Sequence, residues 1–299
     1  MKELVVLSGK GGTGKTSITA AFGSLAKNLV ICDTDVDAAD LHLILTPDKK
    51  KSYNFKAGHE AVIDPDKCTE CGRCSEVCRF NAVKSNIEID PIECEGCGVC
   101  VDLCPEQAIG FMEATCGQWH ISSTRFGPMV HAQLGIAHEN SGKLVSLVRQ
   151  EAKKIAVANS HDFILTDGPP GIGCPVIASI GQATAVLIVA EPTVSGLYDM
   201  ERVAQICRHF NVPAMVCVNK YDLNPEQTRK IEALSREAQI DLVGRIAFDK
   251  SFLESMIREK TIFEYNNMSQ AGIDVMQVWN RIQSLPVFKA PVAPILQHL

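Results

Sequence analysis

The sequence contains no uninterrupted apolar run of about 18 residues, so we expect no membrane span. Its N-terminus has no basic stretch followed by an apolar segment, and a signal peptide is not expected. Basic residues are in deficit, because 29 Lys and Arg stand against 35 Asp and Glu and give a net charge of −6. Without a basic excess to displace counterions from phosphates, nucleic-acid binding is not expected. These absences predict a cytoplasmic protein without a stable membrane anchor.

Cysteine, in contrast, is abundant, with 13 residues in a chain of 299. Without a secretion signal, so many cysteines indicate reduced thiols or metal ligands rather than disulfides. Eight of them form two runs of the pattern C-x2-C-x2-C-x3-C. The first run is Cys68, Cys71, Cys74 and Cys78, and the second is Cys94, Cys97, Cys100 and Cys104.

This spacing resembles that of the two-cluster bacterial ferredoxins. The resemblance implies two 4Fe-4S clusters, each held by three cysteines of one run and the last cysteine of the other. The implied ligand sets are Cys68, Cys71, Cys74 and Cys104 for one cluster, and Cys94, Cys97, Cys100 and Cys78 for the other. Pro105 follows the second run, but Arg79 stands at the corresponding place after the first. A pair of zinc sites is the alternative, although zinc sites usually pair C-x2-C units across a longer gap.

Outside the cysteine region, short apolar runs alternate with segments of helical periodicity. The runs are "ELVVLS", "LVICD", "DFILTD", "AVLIVAE" and "AMVCVN", and each ends in a polar residue. The helical segments are expected at about 143–158, 175–183, 196–210, 225–238 and 271–283. This alternation predicts an α/β fold with a mainly parallel sheet covered by helices on both faces. Ligands of such folds bind at the carboxyl ends of the strands.

The first apolar run leads into "GKGGTGKT", which fits the phosphate-binding pattern G-x4-G-K-S/T between a strand and a helix. The backbone N–H groups of such a loop bind the phosphates, the lysine (here Lys15) reaches the β and γ oxygens, and the threonine (here Thr16) ligates Mg²⁺. The predicted nucleotide-binding residues of the loop are Gly9, Lys10, Gly11, Gly12, Thr13, Gly14, Lys15, Thr16 and Ser17.

The second lysine, Lys10, makes "KGGTGKT" resemble the deviant phosphate loop of the MinD/ParA family, which includes the nitrogenase iron protein and the Mrp-type cluster carriers. The resemblance implies ATP bound within a homodimer, or a heterodimer with a related ATPase. In that family the lysine at the position of Lys10 reaches the partner subunit's phosphates. A cation supplied across an interface stabilises charge on the transferring phosphoryl group, as an arginine finger does.

Two further segments resemble catalytic segments of the same family. In "ICDTDVDAADL", the resemblance assigns Asp35 to positioning the attacking water, with Asp37 as the runner-up, and places Asp33 near the Mg²⁺ ion. In "FILTDGPPGIG", it assigns Asp167 to binding Mg²⁺ and residues 168–171 to sensing the γ-phosphate. The predicted catalytic residues are therefore Lys10, Lys15, Asp35 and Asp37, and the predicted magnesium ligands are Thr16, Asp33 and Asp167.

The segment "VNKYD" follows another apolar strand, where the family contacts the base with an asparagine, here Asn219. It also matches the N-K-x-D guanine motif of GTPases, in which Asp222 would accept hydrogen bonds from guanine. The Lys10 signature favours ATP, and GTP stays the alternative.

These features together resemble a MinD-type ATPase that carries an inserted small α+β domain of the bacterial ferredoxin kind. We expect the nucleotide-binding domain at 1–57 and 113–299 and the insert at 58–112. The predicted function is ATP-gated electron transfer, or iron–sulfur assembly, with a redox or cluster-assembly partner. A nucleotide-switched carrier or scaffold, whose hydrolysis only resets partner binding, is the alternative. Near the C-terminus, Pro286, Pro291 and Pro294 exclude the basic amphipathic helix by which MinD attaches to membranes.

The remaining cysteines and histidines give weaker signals. Cys32, Cys207 and Cys217 lie in apolar patterns and are expected to be core thiols. Cys174 follows "PPGIG" and could hold a bridging cluster only with further ligands, for which Cys116 is the other candidate. The stretch 119–143 was expected to be rich in loops and either connective or a partner surface; it contains His120, His131 and His138.

Overall fold

The computed structural model describes residues 1–135 and 141–289, and these form two compact units. The first comprises Met1–Ser52, Trp119–Gln133 and the described chain from Ser141 onward. The second comprises Tyr53–Gln118 and a short stretch that begins at Leu134. The predicted insert at 58–112 lies within the second unit.

The strands of the described chain form one sheet in the order β3-β4-β5-β2-β6-β1-β7-β8-β9. In the part of this order that runs β5-β2-β6-β1-β7-β8-β9, every pair of neighbouring strands is parallel. Their bounds are β1 Lys2–Ser8, β2 Leu29–Asp33, β3 Asp48–Ile63, β4 Ile109–Thr124, β5 Gly127–Leu134, β6 Phe163–Pro170, β7 Ala185–Ala190, β8 Ala214–Asn219 and β9 Asp241–Ile246.

Helices follow most of the parallel strands. Their bounds are α1 Lys15–Leu25, α2 Leu41–Leu45, α3 Arg73–Val77, α4 Val99–Asp102, α5 Ser141–Ala158, α6 Cys174–Ile180, α7 Val194–His209, α8 Pro225–Glu237, α9 Ser251–Ile257, α10 Ile262–Asn266, α11 Gln270–Ser284 and α12 Pro286–Lys289. A single 3-10 turn covers Tyr221–Leu223. Within these described residues, no helix has the length and apolar character of a membrane span.

Side chains of β1 alternate between two hydrophobic clusters. Leu4 and Val6 belong to a cluster with residues of α1, α2 and α11, whereas Val5 and Leu7 belong to a cluster with residues of α6 and α7. A strand buried on both faces has to be apolar throughout, which explains its unbroken run of hydrophobic residues. The predicted α/β fold with a mainly parallel sheet covered on both faces is therefore confirmed.

The stretch after the cysteine region differs from the expectation of a loop, because it contains the end of β4 and all of β5. Its polar side chains interrupt the apolar pattern by which a buried strand is recognised, but they are hydrogen-bonded to other polar side chains. Ser122 Oγ lies 2.9 Å from His131 Nε2, and His120 Nδ1 lies 2.8 Å from Ser52 Oγ, with both histidines buried. Buried polar groups are tolerated when they are hydrogen-bonded, so these residues fit a strand. Burial also lowers the pKa of His131 to about 3.

In the second unit, the sequence repeat corresponds to a backbone repeat. Cys68 N donates to Asp64 O at 3.1 Å, and Cys94 N donates to Asp90 O at 3.0 Å. Gly72 and Gly98 precede the short helices α3 and α4 with φ angles of 74° and 76°, a conformation that favours glycine. Between Tyr53 and Gln118 the buried apolar residues are Phe55, Ala61, Ala82, Ala108, Ile109, Ala114 and Cys116. Four of these are alanines, so this region has little hydrophobic core.

Candidate nucleotide-binding site

The phosphate loop connects β1 to α1, and its glycines are required by the geometry. Gly12 and Gly14 have φ angles of 78° and 89°, which residues with a Cβ rarely adopt. A Cβ at Gly14 would also collide with Asn219 Nδ2, and one at Gly9 would collide with Asp199. Gly11 has open space around it. The loop therefore packs closely against β8 and α7 at two of its glycines.

Lys15 is the central cation of the site. It is buried, and its Nζ lies 3.0 Å from Asp167 Oδ1 and 3.3 Å from Asp35 Oδ2. Burial lowers the pKa of Lys15, but the charges of Asp167, Asp35 and Asp33 raise it by more, so the net shift is upward. Lys15 is therefore protonated at neutral pH.

Asp167 accepts hydrogen bonds from two hydroxyl groups of α1. Thr16 Oγ1 donates to Asp167 Oδ2 at 2.8 Å, and Thr19 Oγ1 donates to Asp167 Oδ1 at 2.9 Å. Asp33 is the register partner of Asp167 across β2 and β6, and Asp33 Oδ2 is buried without a hydrogen-bond partner. Burial and the charge of Asp167 raise the pKa of Asp33 well above its usual value. A hydroxyl and two carboxylates are oxygen donors of the kind that Mg²⁺ takes, so this set fits the ion.

The two candidates for positioning water occupy different environments. Asp35 is buried beside Lys15, and its Oδ1 has no hydrogen-bond partner. Burial raises the pKa of Asp35 to about 6, even though Lys15 opposes the shift. Asp37 is exposed. Of the two, Asp35 is the one that contacts the lysine of the loop.

Lys10 is 38% exposed and contacts residues of its own chain. Its Nζ lies 3.5 Å from Glu191 Oε2 and within 3.4 Å of the hydroxyls of Thr193 and Ser195. Ser17, the last predicted residue of the loop, donates from Oγ to Met256 Sδ at 3.1 Å.

A cavity of about 280 Å³ adjoins the phosphate loop. Its lining residues in the described chain are Gly12, Gly14, Ser17, Asn219, Lys220, Ala247, Phe248, Asp249, Lys250, Phe252, Leu253 and Met256. The Nδ2 of Asn219 donates to Thr13 O at 2.7 Å, and the buried Oδ1 has no partner. Asp222 is outside this lining, and its Oδ1 accepts from Phe248 N at 2.7 Å. The volume and the apolar side chains suit a nucleobase.

Sequence reasoning missed several residues of the site. Thr19 lies one helical turn after Lys15, so the helix period places both on the same face and could have identified it. Glu191 directly follows β7 and could have been chosen as a polar residue at the carboxyl end of a strand. Residues 247–256, several of which line the cavity beside the phosphate loop, could not be identified from the sequence. They reach the cavity only because of how the chain folds back after β9.

The model of the CobQ/CobB/MinD/ParA nucleotide binding domain matches residues 4–262. The chain belongs to this family. An uncharacterized protein of Methanocaldococcus jannaschii is 33% identical over 225 residues, covering 74% of this chain and 79% of the relative. The septum site-determining protein MinD of Buchnera aphidicola is 23% identical, covering 93% and 90%.

Solved structures of MinD share the fold of this family member. The chain aligns with a structure of the MinC:MinD cell division protein complex of Aquifex aeolicus with a TM-score of 0.58 and 18% identity, covering 98% of this chain and 99% of that one. The MinD protein of Pyrococcus horikoshii, complexed with Mg-ADP, gives 0.58 and 17% identity, covering 97% and 99%. These similarities confirm a MinD/ParA-type P-loop nucleotide-binding fold.

The prediction that this family member gates electron transfer or iron–sulfur assembly with ATP is wrong. Within residues 1–135 and 141–289, no group of three or more His, Cys, Asp or Glu is arranged to hold a metal ion. The Buchnera relative and the solved structures named above are MinD proteins. A redox or cluster-assembly partner was expected only because of that function, so its basis is lost as well.

The eight repeat cysteines line two cavities of the second unit. One cavity of about 390 Å³ is lined by Cys68, Cys71, Cys74 and Cys104 among other residues. A second, much smaller cavity is lined by Cys78, Cys94, Cys97 and Cys100. Glu70 N and Ala108 N point at the sulfur atoms of Cys68 and Cys104, at 3.4 and 3.3 Å.

The other cysteines divide into buried and exposed residues. Cys32, Cys207 and Cys217 are buried, as expected of core thiols, and burial raises the pKa of Cys207 to about 12. Cys116 is buried and donates from Sγ to Ala57 O at 2.9 Å, whereas Cys174 is exposed. His138, Pro291 and Pro294 lie outside the described residues.

Proposed function

We propose that this protein is a nucleotide-switched carrier or scaffold, in which ATP binding favours one state of partner binding and hydrolysis resets it. The observation that carries this proposal is the convergence of Lys15, Thr16 and Asp35 on and around Asp167 at the carboxyl ends of β2 and β6. MinD relatives and a solved MinC:MinD complex support a role in which a partner protein is bound. Because ATP is an intracellular substrate, we also propose a cytoplasmic location.

Each residue of the site has a distinct task in this reaction. Lys15, kept protonated by its carboxylate neighbours, binds the β and γ phosphate oxygens. Asp35 is ionised at neutral pH and orients the attacking water. Thr16, Asp33 and Asp167 would hold Mg²⁺, which neutralises phosphate charge when bound. Phosphoryl transfer depends mainly on such positioning and charge stabilisation, so no further nucleophile is needed.

The active form is proposed to be a dimer around the nucleotide, with Lys10 contributed to the other subunit's phosphates. A homodimer is the first choice, and a heterodimer with a related ATPase is the alternative. The partial exposure of Lys10 supports this role, because a lysine that serves a second subunit must reach beyond its own surface.

The base pocket favours ATP over GTP. The Nδ2 of Asn219 is already used by Thr13 O, which leaves the buried acceptor Oδ1 as the atom that we propose pairs with the base. Adenine presents a 6-amino donor to such an acceptor, whereas guanine presents a 6-oxo group that would be repelled. Asp222, the acceptor that would read guanine, is held by Phe248 N instead.

The proposal is tested by ATP hydrolysis at a series of protein concentrations. A dimeric enzyme shows a specific rate that rises with concentration, and Lys10→Ala should abolish the rise while leaving nucleotide binding intact. Lys15→Ala should weaken ATP binding by about ten- to a hundredfold, because a charge-assisted contact is lost. Lys27→Ala, an exposed lysine just beyond α1, is the matched control. A concentration-independent rate, unchanged in Lys10→Ala, would overturn the dimeric switch.

We further propose that the two cysteine quartets hold 4Fe-4S clusters whose task is to keep the second unit folded. The two cavities that bring together the predicted ligand sets support this, as does the scarcity of buried apolar side chains between Tyr53 and Gln118. Small domains with little core usually depend on metals or disulfides. Protein purified without oxygen should contain about eight Fe per chain. Zinc in place of iron would contradict the proposal.

A further inference from the structure

Glu191 lies between two lysines of the phosphate loop region and contacts both. Its Oε2 is 3.5 Å from Lys10 Nζ, and its Oε1 is 3.0 Å from Lys220 Nζ. Lys220 Nζ also donates to Gly12 O in the loop at 2.9 Å. The Glu191 side chain is 18% exposed, so the ion pairs are partly shielded from water. One carboxylate therefore neutralises two cations that flank the phosphate site.

The position of this carboxylate is fixed by the turn from β7 to α7. Thr193 N donates to Glu191 O at 2.7 Å, and Thr193 Oγ1 caps α7 by accepting from Gly196 N at 2.9 Å. A Cβ at Gly196 would collide with Glu191 O, so the turn requires glycine at that place. The backbone of Glu191 is held in this way and its carboxylate also pairs with Lys220, so only a change of side-chain rotamer would let Glu191 follow Lys10.

We propose that Glu191 is a positioning residue that holds Lys10 within its own subunit until a second subunit closes on the nucleotide. The inference rests on the proposed dimer. Every partner of Lys10 Nζ given by the described chain lies on the β7–α7 turn or in the first turn of α7 of the same chain: Glu191, Thr193 and Ser195. To reach phosphates of another subunit, Lys10 has to leave the carboxylate. Breaking this ion pair is thus a cost of dimerisation, and Glu191 sets its size.

The expected effect follows from the strength of partly exposed ion pairs. Such a pair changes an equilibrium by roughly two- to fivefold, and a symmetric dimer breaks two of them. Glu191→Gln should therefore lower the dimer dissociation constant by roughly four- to 25-fold. Ser195→Ala, which removes an exposed hydroxyl partner of Lys10, should change it in the same direction by less.

The experiment measures dimer dissociation constants by sedimentation, with a non-hydrolysable ATP analogue bound. Glu201→Gln on α7 is the matched control, since it removes the same charge from a carboxylate that contacts Gln205, and it should have no effect. Glu191→Gln combined with Lys10→Ala should bind no tighter than Lys10→Ala alone. Lys220→Met separates the second ion pair, and it should not tighten the dimer.

A positioning role also predicts which kinetic quantity changes. Glu191→Gln should reach half of its maximal specific hydrolysis rate at a lower protein concentration, whereas a merely structural defect would raise that concentration and lower the melting temperature. Glu191→Asp, which keeps the charge, should return the constant toward that of the wild type. An unchanged or weaker dimer in both Glu191→Gln and Ser195→Ala overturns this inference. If Lys10→Ala itself leaves the dimer unchanged, it is the proposed dimeric function that fails.

Discussion

The two units of the chain differ in what holds their functional side chains in place. In the nucleotide-binding unit, Lys15 and Asp167 are buried, ion-paired, and carried by a helix and a strand that contribute residues to the hydrophobic core. In the cysteine-bearing unit, the eight repeat cysteines are exposed or half-buried among few buried side chains. Packing and ion pairs position the functional side chains of the first unit. The second has too little core to position its thiols by packing alone.

The largest expected effect tests this contrast directly. Cys71→Ser removes one proposed cluster ligand from the first quartet and should cost about four Fe per chain. Residues 53–118 should then become sensitive to limited proteolysis, while ATP affinity stays unchanged. Cys174→Ser, at an exposed cysteine of the nucleotide-binding unit, is the control. If the cysteine-bearing unit keeps its protease resistance after complete loss of metal, the contrast between the units is wrong.

A second test compares ion pairs of the two units. Arg149 binds both carboxyl oxygens of Glu3, at 2.9 and 2.7 Å, and both residues are buried. Arg149→Met removes the bidentate partner of a buried carboxylate and leaves it only the longer contact with Lys153, at 3.7 Å, so it should lower the free energy of unfolding by up to about 3–5 kcal/mol. Lys84→Met, which breaks the exposed pair with Glu93 in the other unit, should cost far less, because water screens such a pair. Chemical denaturation measures both, and equal losses would contradict the comparison.

A smaller effect is expected at the base pocket. Asn219→Ala removes the proposed acceptor for adenine and should weaken ATP binding by about three- to tenfold, with less effect on GTP. Asp222→Ala should weaken the binding of both nucleotides to a similar extent. It removes the hydrogen bond that holds the backbone of Phe248 at the cavity, and it removes no contact with the base. Titration of each variant with both nucleotides measures this. A selective loss of GTP affinity in either variant would identify the segment as a guanine site.

The smallest effect concerns pH. The pKa of Asp35 is raised to about 6, so its carboxylate is ionised above that pH and protonated below it. Since the ionised form is the one proposed to orient the attacking water, kcat at saturating ATP should fall to about half of its plateau near pH 6. Asp37→Asn should keep this profile, because Asp37 is exposed. A profile that is flat from pH 8 to pH 5 would remove Asp35 from the reaction.

Much of the fold could be predicted from the sequence, for a physical reason. Strands such as β1 and β7 are buried on both faces and therefore read as unbroken apolar runs. β5 was missed because it carries His131, whose polar ring is tolerated only through Ser122, a residue of another strand. Such pairing between distant residues leaves no local signal.

The site shows the same division. The phosphate loop could be located because its glycines and Lys15 follow from local geometry. The partners of Lys10 could not, because Glu191 lies 181 residues further along the chain and meets Lys10 only after the sheet forms. The orientation of the Asn219 amide was also beyond reach, since it depends on a carbonyl of the phosphate loop, Thr13 O.

The hydrogen bonds between the phosphate loop and the end of β8 restrict how the loop can move. Asn219 and Lys220 hydrogen-bond two successive carbonyls of the loop, Thr13 O and Gly12 O. The loop cannot shift outward without breaking both bonds or drawing the end of β8 with it. The phosphate loop and the proposed base pocket are thus linked and should move together. A nucleotide whose phosphates fit the loop therefore has its base placed at the pocket. The site is therefore ordered mainly by folding, so little of the free energy of nucleotide binding is lost in ordering it.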